Sequence, residues 1–178
     1  LHDDTDGAFD ALGVPAPNGS HLDPSGVVKG WSVERAAEIL ESHGLLNFCV
    51  NAGGDIALRG EIRPGEPWRV GIRHPDLPDM SAAVLHGSGR LAIATSATYE
   101  RGAHIIDPAT QEPTADLASV TIVGPDLTFA DAYATSVFVM GLDGLNWLVE
   151  RHPDYAGFVI TRDGTAISTP SFARHRIA

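Results

Sequence analysis

Cysteine is almost absent: Cys49 stands alone among 178 residues, so no internal disulfide can close. Positive charge is scarce as well. Twelve Lys and Arg face 23 Asp and Glu, a formal net charge of −11. A chain this acidic has no basic face for a phosphate backbone, which excludes a nucleic-acid binder. No apolar run reaches the roughly 18 residues that a membrane-spanning helix needs, and no signal peptide opens the chain. Internal repeats and low-complexity tracts are missing too. So are the short signatures of common catalytic machinery: there is no G-x-S-x-G elbow, Walker loop, H-E-x-x-H, or G-x-G-x-x-G after a strand. Any chemistry here proceeds without a nucleophile that a motif would reveal.

What is present suits a globular domain. The chain is 43% hydrophobic and 20% charged, and its length supports one sizeable core in one domain. It starts at Leu1, and L-H-D-D-T-D-G-A-F-D reads as interior sequence, the mark of a fragment or processed product.

The stretch 126–150, D-L-T-F-A-D-A-Y-A-T-S-V-F-V-M-G-L-D-G-L-N-W-L-V-E, organises the rest. A helix is expected from near Thr128, with Phe129, Ala132, Val137 and Met140 on a buried face and Leu145 and Leu148 beyond a Gly-rich break. Asp131 and Thr135 interrupt the apolar run. Four residues apart, they stand one turn above each other on the same side, and an acid in the first turn suits the helix dipole. A carboxylate and a hydroxyl converging there form half a site for Mg²⁺. The alternative is that Asp131 caps the helix and Thr135 bonds back to a carbonyl.

Residues 1–25 read as loop, with G-A-F-D (7–10) a turn around a buried Phe9. Ser32 is expected to cap a helix through Val33, Ala36, Ala37 and Leu40, stopped by His43-Gly44. Lys29, between Gly26 and Gly30, then lies just ahead of a helix N-terminus. It is placed either to hold an anion such as phosphate or to be an ordinary solvated loop lysine. The middle third is β-rich. Two short runs within 47–60 flank Gly53-Gly54, read as a bulge or a point of close backbone or ligand approach. Trp68–Arg73 alternates like a half-buried strand, and 82–85 and 90–94 read as a hairpin joined by H-G-S-G. T-S-A-T-Y-E-R (95–101) reads as a polar loop at a strand end. His104 and Asp107 in H-I-I-D could serve as a base and its orienter, or as satisfied structural groups. Residues 119–123 form a buried strand, and a terminal hairpin turns at Asp163-Gly164.

Taken in order, G-A-F-D (7–10), D-P-S-G-V-V-K-G-W-S-V-E (23–34), N-A-G-G-D (51–55), T-S-A-T-Y-E-R (95–101), H-I-I-D-P-A-T (104–110) and A-D-A-Y-A-T (130–135) resemble the ApbE family, the FAD:protein FMN transferases. The resemblance covers nearly the whole chain and keeps motif order. It implies an α+β, T-fold-like domain with helices packed on a mixed or antiparallel sheet, here over 1–178 and lacking the N-terminal part of the family fold. It further implies FAD as substrate, Mg²⁺ as metal, and transfer of FMN to a threonine or serine of a client flavoprotein with release of AMP. By resemblance, Ala8, Phe9, Asp10, Asp23, Lys29 and Ile106 contact the flavin nucleotide. The carbonyl of Gly26 with the side chains of Asp131 and Thr135 holds the metal, and His104 joins Asp131 in catalysis. Binding FAD without transfer, or hydrolysing it to FMN and AMP, are the alternatives. Family members often sit outside the cytoplasm on a lipid anchor, and no anchor is visible in these residues. Two departures stand out: Ser96-Ala97 where T-S-G is usual, and Thr110-Gln111 where D-P-x-T-G is usual. Each loses a glycine, so the local backbone is expected to differ.

Overall fold

Runs with alternating apolar side chains become strands, and every pairing between them is antiparallel. The structure, a computed structural model, describes residues 1–13, 22–98, 105–114 and 116–177. Six strands form one sheet in the order β1-β2-β5-β6-β7-β8: β1 Phe48–Ala52, β2 Asp55–Arg59, β5 Leu91–Ala97, β6 Leu117–Gly124, β7 Ala156–Thr161 and β8 Ala166–Ser168. The other two, β3 Trp68–Arg73 and β4 Ser81–Gly87, form a separate ribbon. Among the elements wholly within the described residues are three α-helices, α1 Ser25–Ser42, α2 Leu127–Met140 and α3 Asp143–Arg151, with a 3-10 turn at Pro170–Arg174.

Both faces of the large sheet are covered, so its central strands are apolar on both sides rather than half polar. Ala57, Ala92, Ala94, Val120, Ile122 and Val159 face the helices and pack with Leu127, Ala130, Val137 and Phe138. Their neighbours in sequence, Ile56, Leu58, Ile93, Phe158 and Ile160, face the ribbon and pack with Ile72, Leu85 and Phe172. This is the α+β architecture expected, with an antiparallel sheet and the 128–141 region packed on it.

Several local expectations are corrected. The runs 82–85 and 90–94 do not pair with each other: β4 joins β3 in the ribbon, while β5 enters the sheet between β2 and β6. Burial explains the split, since β5 is buried over Leu91–Ala94 and needs cover on both sides, whereas β4 leaves Ser81 and Val84 exposed. Gly53 and Gly54, at φ 60° and 95°, make a two-residue hairpin turn between β1 and β2 that needs positive φ at both positions. Nothing lies within 4 Å of where their Cβ atoms would be, so among the described residues no other backbone approaches there. The first helix starts at Ser25, not Ser32, whose hydroxyl donates to the Val28 carbonyl inside the helix. Two helical glycines, each costing about 1 kcal/mol relative to Ala, hide that first turn from a propensity reading. Asp126, not Asp131, caps α2, accepting from Thr128 N and Phe129 N. Phe129 is 44% exposed rather than buried, and Met140 is half-buried.

One buried ion cluster locks these elements together. Glu34 on α1, 2% exposed, receives the guanidinium groups of Arg59 on β2 and Arg90 before β5, and its Oε2 accepts the first α2 amide, Leu127 N, at 2.9 Å. Glu41 adds a second carboxylate to Arg59 at 2.9 Å. Removing Glu34 leaves the Arg59 guanidinium, 3% exposed, with one carboxylate fewer and little water to replace it. Glu34→Ala is therefore expected to destabilise the fold by about 3–5 kcal/mol. A urea titration would register this as a lower midpoint at unchanged slope.

Candidate functional site

Helices α1 and α2 cross where neither can carry bulk on the facing side. A Cβ on Gly30 would lie 2.4 Å from the Leu127 carbonyl oxygen and 2.6 Å from Asp131 Cβ. The glycine thus permits the Gly30 amide to donate to Asp131 Oδ2 at 2.8 Å. Regular helix geometry aims that same N–H at the Gly26 carbonyl. One turn earlier, a Cβ on Gly26 would meet Thr135 Oγ1 at 3.2 Å and the Phe9 ring at 3.0 Å. Gly26, Asp131 and Thr135 therefore share one spot. Ser96 on β5 reaches it too, its hydroxyl 3.4 Å from Thr135 Oγ1.

This spot opens into a cavity of about 360 Å³ whose walls come from residues 8–10 and 23–29, the end of β5, residues 105–108, and α2. Ala8, Phe9, Asp10, Asp23, Gly26, Lys29, Ile106, Asp131 and Thr135 all line it. His104 lies outside the described residues. Asp107, its expected orienter, spends Oδ1 on the Ala109 amide in a tight turn. Asp23 Oδ1 accepts the Ser25 amide at the start of α1, and Asp10 Oδ1 accepts the Leu12 amide, so each keeps one carboxylate oxygen off the backbone bond.

Lys29 departs from expectation. It sits in the second turn of α1 rather than ahead of it, and it is not simply solvated. Its Nζ lies 2.9 Å from Oδ2 of Asp55, a carboxylate with 1% of its side chain exposed. Asp55, the last residue of N-A-G-G-D, also accepts from Thr95 N at 3.4 Å. Its place beside the site was not readable locally, because Lys29 and Asp55 are joined only by the packing of α1 on β2. Thr95–Ala97 belong to β5 rather than to a loop. Ala97, where the resemblance expects a glycine, pairs regularly with Ser119. Where the resemblance expects the other glycine, Gln111 takes the left-handed conformation that suits glycine, with φ 61°.

The electrostatics favour a cation. Lys29 is the chain's one lysine and is already paired with Asp55, while Asp10, Asp23 and Asp131 line the cavity. Burial, and next the charge of Asp55, push the Asp131 carboxyl up from 3.8 to about 7; the Gly30 amide and Lys29 oppose the shift. A carboxylate, a hydroxyl and a carbonyl are hard oxygen donors, which fits Mg²⁺ completed by water and ligand oxygens. Among the described residues, no group of three or more His, Cys, Asp or Glu is placed to hold a metal, so the thiolate and imidazole sets typical of zinc are not in view. Asp131 does not cap its helix, and Thr135 faces Ser96, so the cap-and-back-bond alternative is set aside.

A helix pair packed over an antiparallel sheet defines a class of fold, and a solved flavin transferase shares that fold. The flavin transferase ApbE from Vibrio cholerae superposes with a TM-score of 0.83 at 27% identity, covering 98% of this chain and 72% of that one. The ApbE protein from Thermotoga maritima gives 0.84 at 25% identity, covering 99% and 74%. The ApbE family model matches residues 2–159, and the chain belongs to the ApbE family. Curated relatives include the FAD:protein FMN transferases of Vibrio cholerae, 38% identical over 130 residues (68% of this chain, 39% of that protein), and of Escherichia coli K12, 33% identical over 159 residues (84% and 45%). The chain spans less than half the length of these two relatives.

The raised Asp131 carboxyl fixes a pH response. The unfolded chain sheds this proton near pH 3.8 and the folded chain near 7. The stability that the protonated group contributes is therefore whole below about pH 4 and lost as pH rises to about 7. In metal-free buffer, the wild type is expected to lose stability across that window relative to Asp131→Asn, which cannot ionise there. Paired urea titrations from pH 4 to pH 8 measure the difference.

Proposed function

We propose that this domain acts as an FAD:protein FMN transferase. The observation that carries the reading is the convergence of Gly26, Asp131 and Thr135 at the base of a cavity that also holds Lys29, in a chain of the ApbE family. The names of the curated relatives support the substrate and the protein acceptor.

In the reaction, the hydroxyl of a threonine or serine on a client flavoprotein forms a bond to the phosphorus of the FMN half of FAD. The pyrophosphate bond to the AMP half breaks, and AMP leaves with the bridging oxygen. The Gly26 carbonyl, Asp131 and Thr135 would hold Mg²⁺. When bound, that ion neutralises pyrophosphate charge and stabilises the charge that develops on the leaving phosphate. Phe9, Ala8 and Ile106 supply apolar wall for the flavin nucleotide, and Asp10 and Asp23 offer their second carboxylate oxygens to its hydroxyl and N–H groups. Lys29, held by Asp55, presents its ammonium to phosphate oxygens from a fixed position. His104 takes the proton from the attacking hydroxyl. No enzyme nucleophile is needed, in keeping with a sequence that carries no such motif.

Mixing the chain with FAD, magnesium chloride and an acceptor flavoprotein domain tests this. The expected products are acceptor carrying covalent flavin fluorescence and an equal amount of AMP. Replacing the acceptor hydroxyl residue by Ala removes both. Asp131→Ala is expected to lower the rate by about 10²-fold or more, as loss of a group stabilising phosphoryl charge does. Free FMN with AMP would make the protein a hydrolase, and intact bound FAD a binder; either result overturns the transferase reading.

A further inference from the structure

Away from the metal ligands, a second polar cluster has no part in the chemistry above. The Tyr133 hydroxyl donates to Asp4 Oδ2 at 3.2 Å and lies 3.2 Å from His152 Nδ1, while His152 Nε2 lies 3.3 Å from Asp4 Oδ1. The three side chains close a triangle. The His152 ring stacks on Tyr133 at 4.2 Å, and Trp147 meets Tyr133 edge-on while its Nε1 donates to the Asp4 carbonyl at 3.2 Å.

Tyr133 belongs to α2 and stands midway between Asp131 and Thr135. Two residues along a helix is a rotation of about 200°, so the tyrosine points away from the side that serves the cavity. The opening segment must pass around α2 to join both sides. It does so in a short reach: Thr5, fully buried, accepts the Phe9 amide on its Oγ1 at 3.0 Å, and Phe9, 7% exposed, forms cavity wall against Gly26. Residues 1–13 belong to no strand. One backbone bond, from the Asp23 amide to the Ala11 carbonyl at 2.7 Å, holds their far end, and side-chain anchors hold the near end.

We propose that the Asp4–His152–Tyr133 triangle is a positioning device that holds Phe9 in place and thereby sets the affinity of the cavity for its flavin substrate. Loss of an anchor divides the segment between a docked and an undocked state, and only the docked state presents the wall. Apparent affinity falls by the docked fraction. The claim about affinity rests on FAD being the ligand; the claim that the triangle holds the wall does not.

The test uses the full chain with Asp4→Ala, Tyr133→Phe, Phe9→Ala and the Asp4→Ala/Phe9→Ala double variant. Two quantities are read: FAD dissociation constants in magnesium by flavin fluorescence, and hydrogen exchange at the Phe9 amide. Asp4→Ala is expected to speed exchange at Phe9 and to raise the FAD dissociation constant about tenfold, corresponding to a docked fraction near one tenth. Because the triangle acts through Phe9, Asp4→Ala should add little once Phe9 is already Ala. Tyr133→Phe keeps the ring and removes only the hydroxyl, so it carries the test if Asp4→Ala does not fold. Faster exchange with unchanged FAD affinity, or additive losses in the double variant, overturns the proposal. If the wild type binds no FAD, the transferase reading falls, and exchange at Phe9 alone decides whether the triangle holds the wall.

Discussion

The rest of the structure depends on the hydrogen bond between the Gly30 amide and the Asp131 carboxylate. It fixes how closely α1 and α2 approach, because only a residue without a side chain can stand between the Leu127 carbonyl and Asp131. That approach in turn brings Gly26 against Thr135 and turns two helix surfaces into one cluster of oxygens. Burial of Asp131 is the other side of the same contact. A carboxylate drawn this far from water favours either a proton or a cation, and the fold places hard oxygen donors where a cation would go.

Charge along α1 follows a consistent division. Near its start, Lys29 is pinned by Asp55 so that the cavity keeps a net acidic lining. One turn past Gly30, Glu34 collects two arginines and the first amide of α2. One cluster leaves charge for a ligand to satisfy; the other satisfies all of its own and holds the helix in place. An acidic cavity of this kind would repel a pyrophosphate unless a divalent ion accompanied it, so under the proposed function metal and dinucleotide binding would be linked through electrostatics.

Much of the fold was legible because its signals are local. Alternation in 68–73, the apolar run at 119–123 and the turn at Asp163-Gly164 each report on their own few residues. The spacing of Asp131 and Thr135 placed two oxygens on one side of a helix before any coordinates. What escaped was non-local. Glu34 gave no sign that Arg59 and Arg90 would meet it, since those partners lie 25 and 56 positions away. The pairing of β5 with β2 rather than β4 is decided by which strand must be covered on both faces, a property of the assembled sheet. The true start of α1 was masked by its own glycines, which weaken helix propensity for the sake of contact with α2.

Gln111 shows how the loss of a glycine can be absorbed. Its φ of 61° costs of order 1 kcal/mol or more for a residue with a side chain. The same side chain supplies two bonds that glycine has no atoms to make, from Nε2 to the carbonyls of Pro108 at 2.7 Å and Gly13 at 2.8 Å. Pro108 lines the cavity, and Gly13 follows the segment whose Ala8, Phe9 and Asp10 line it. Where a glycine would leave a swivel, glutamine leaves a strut, so the opening segment and the turn at Pro108 are tied together by one amide group.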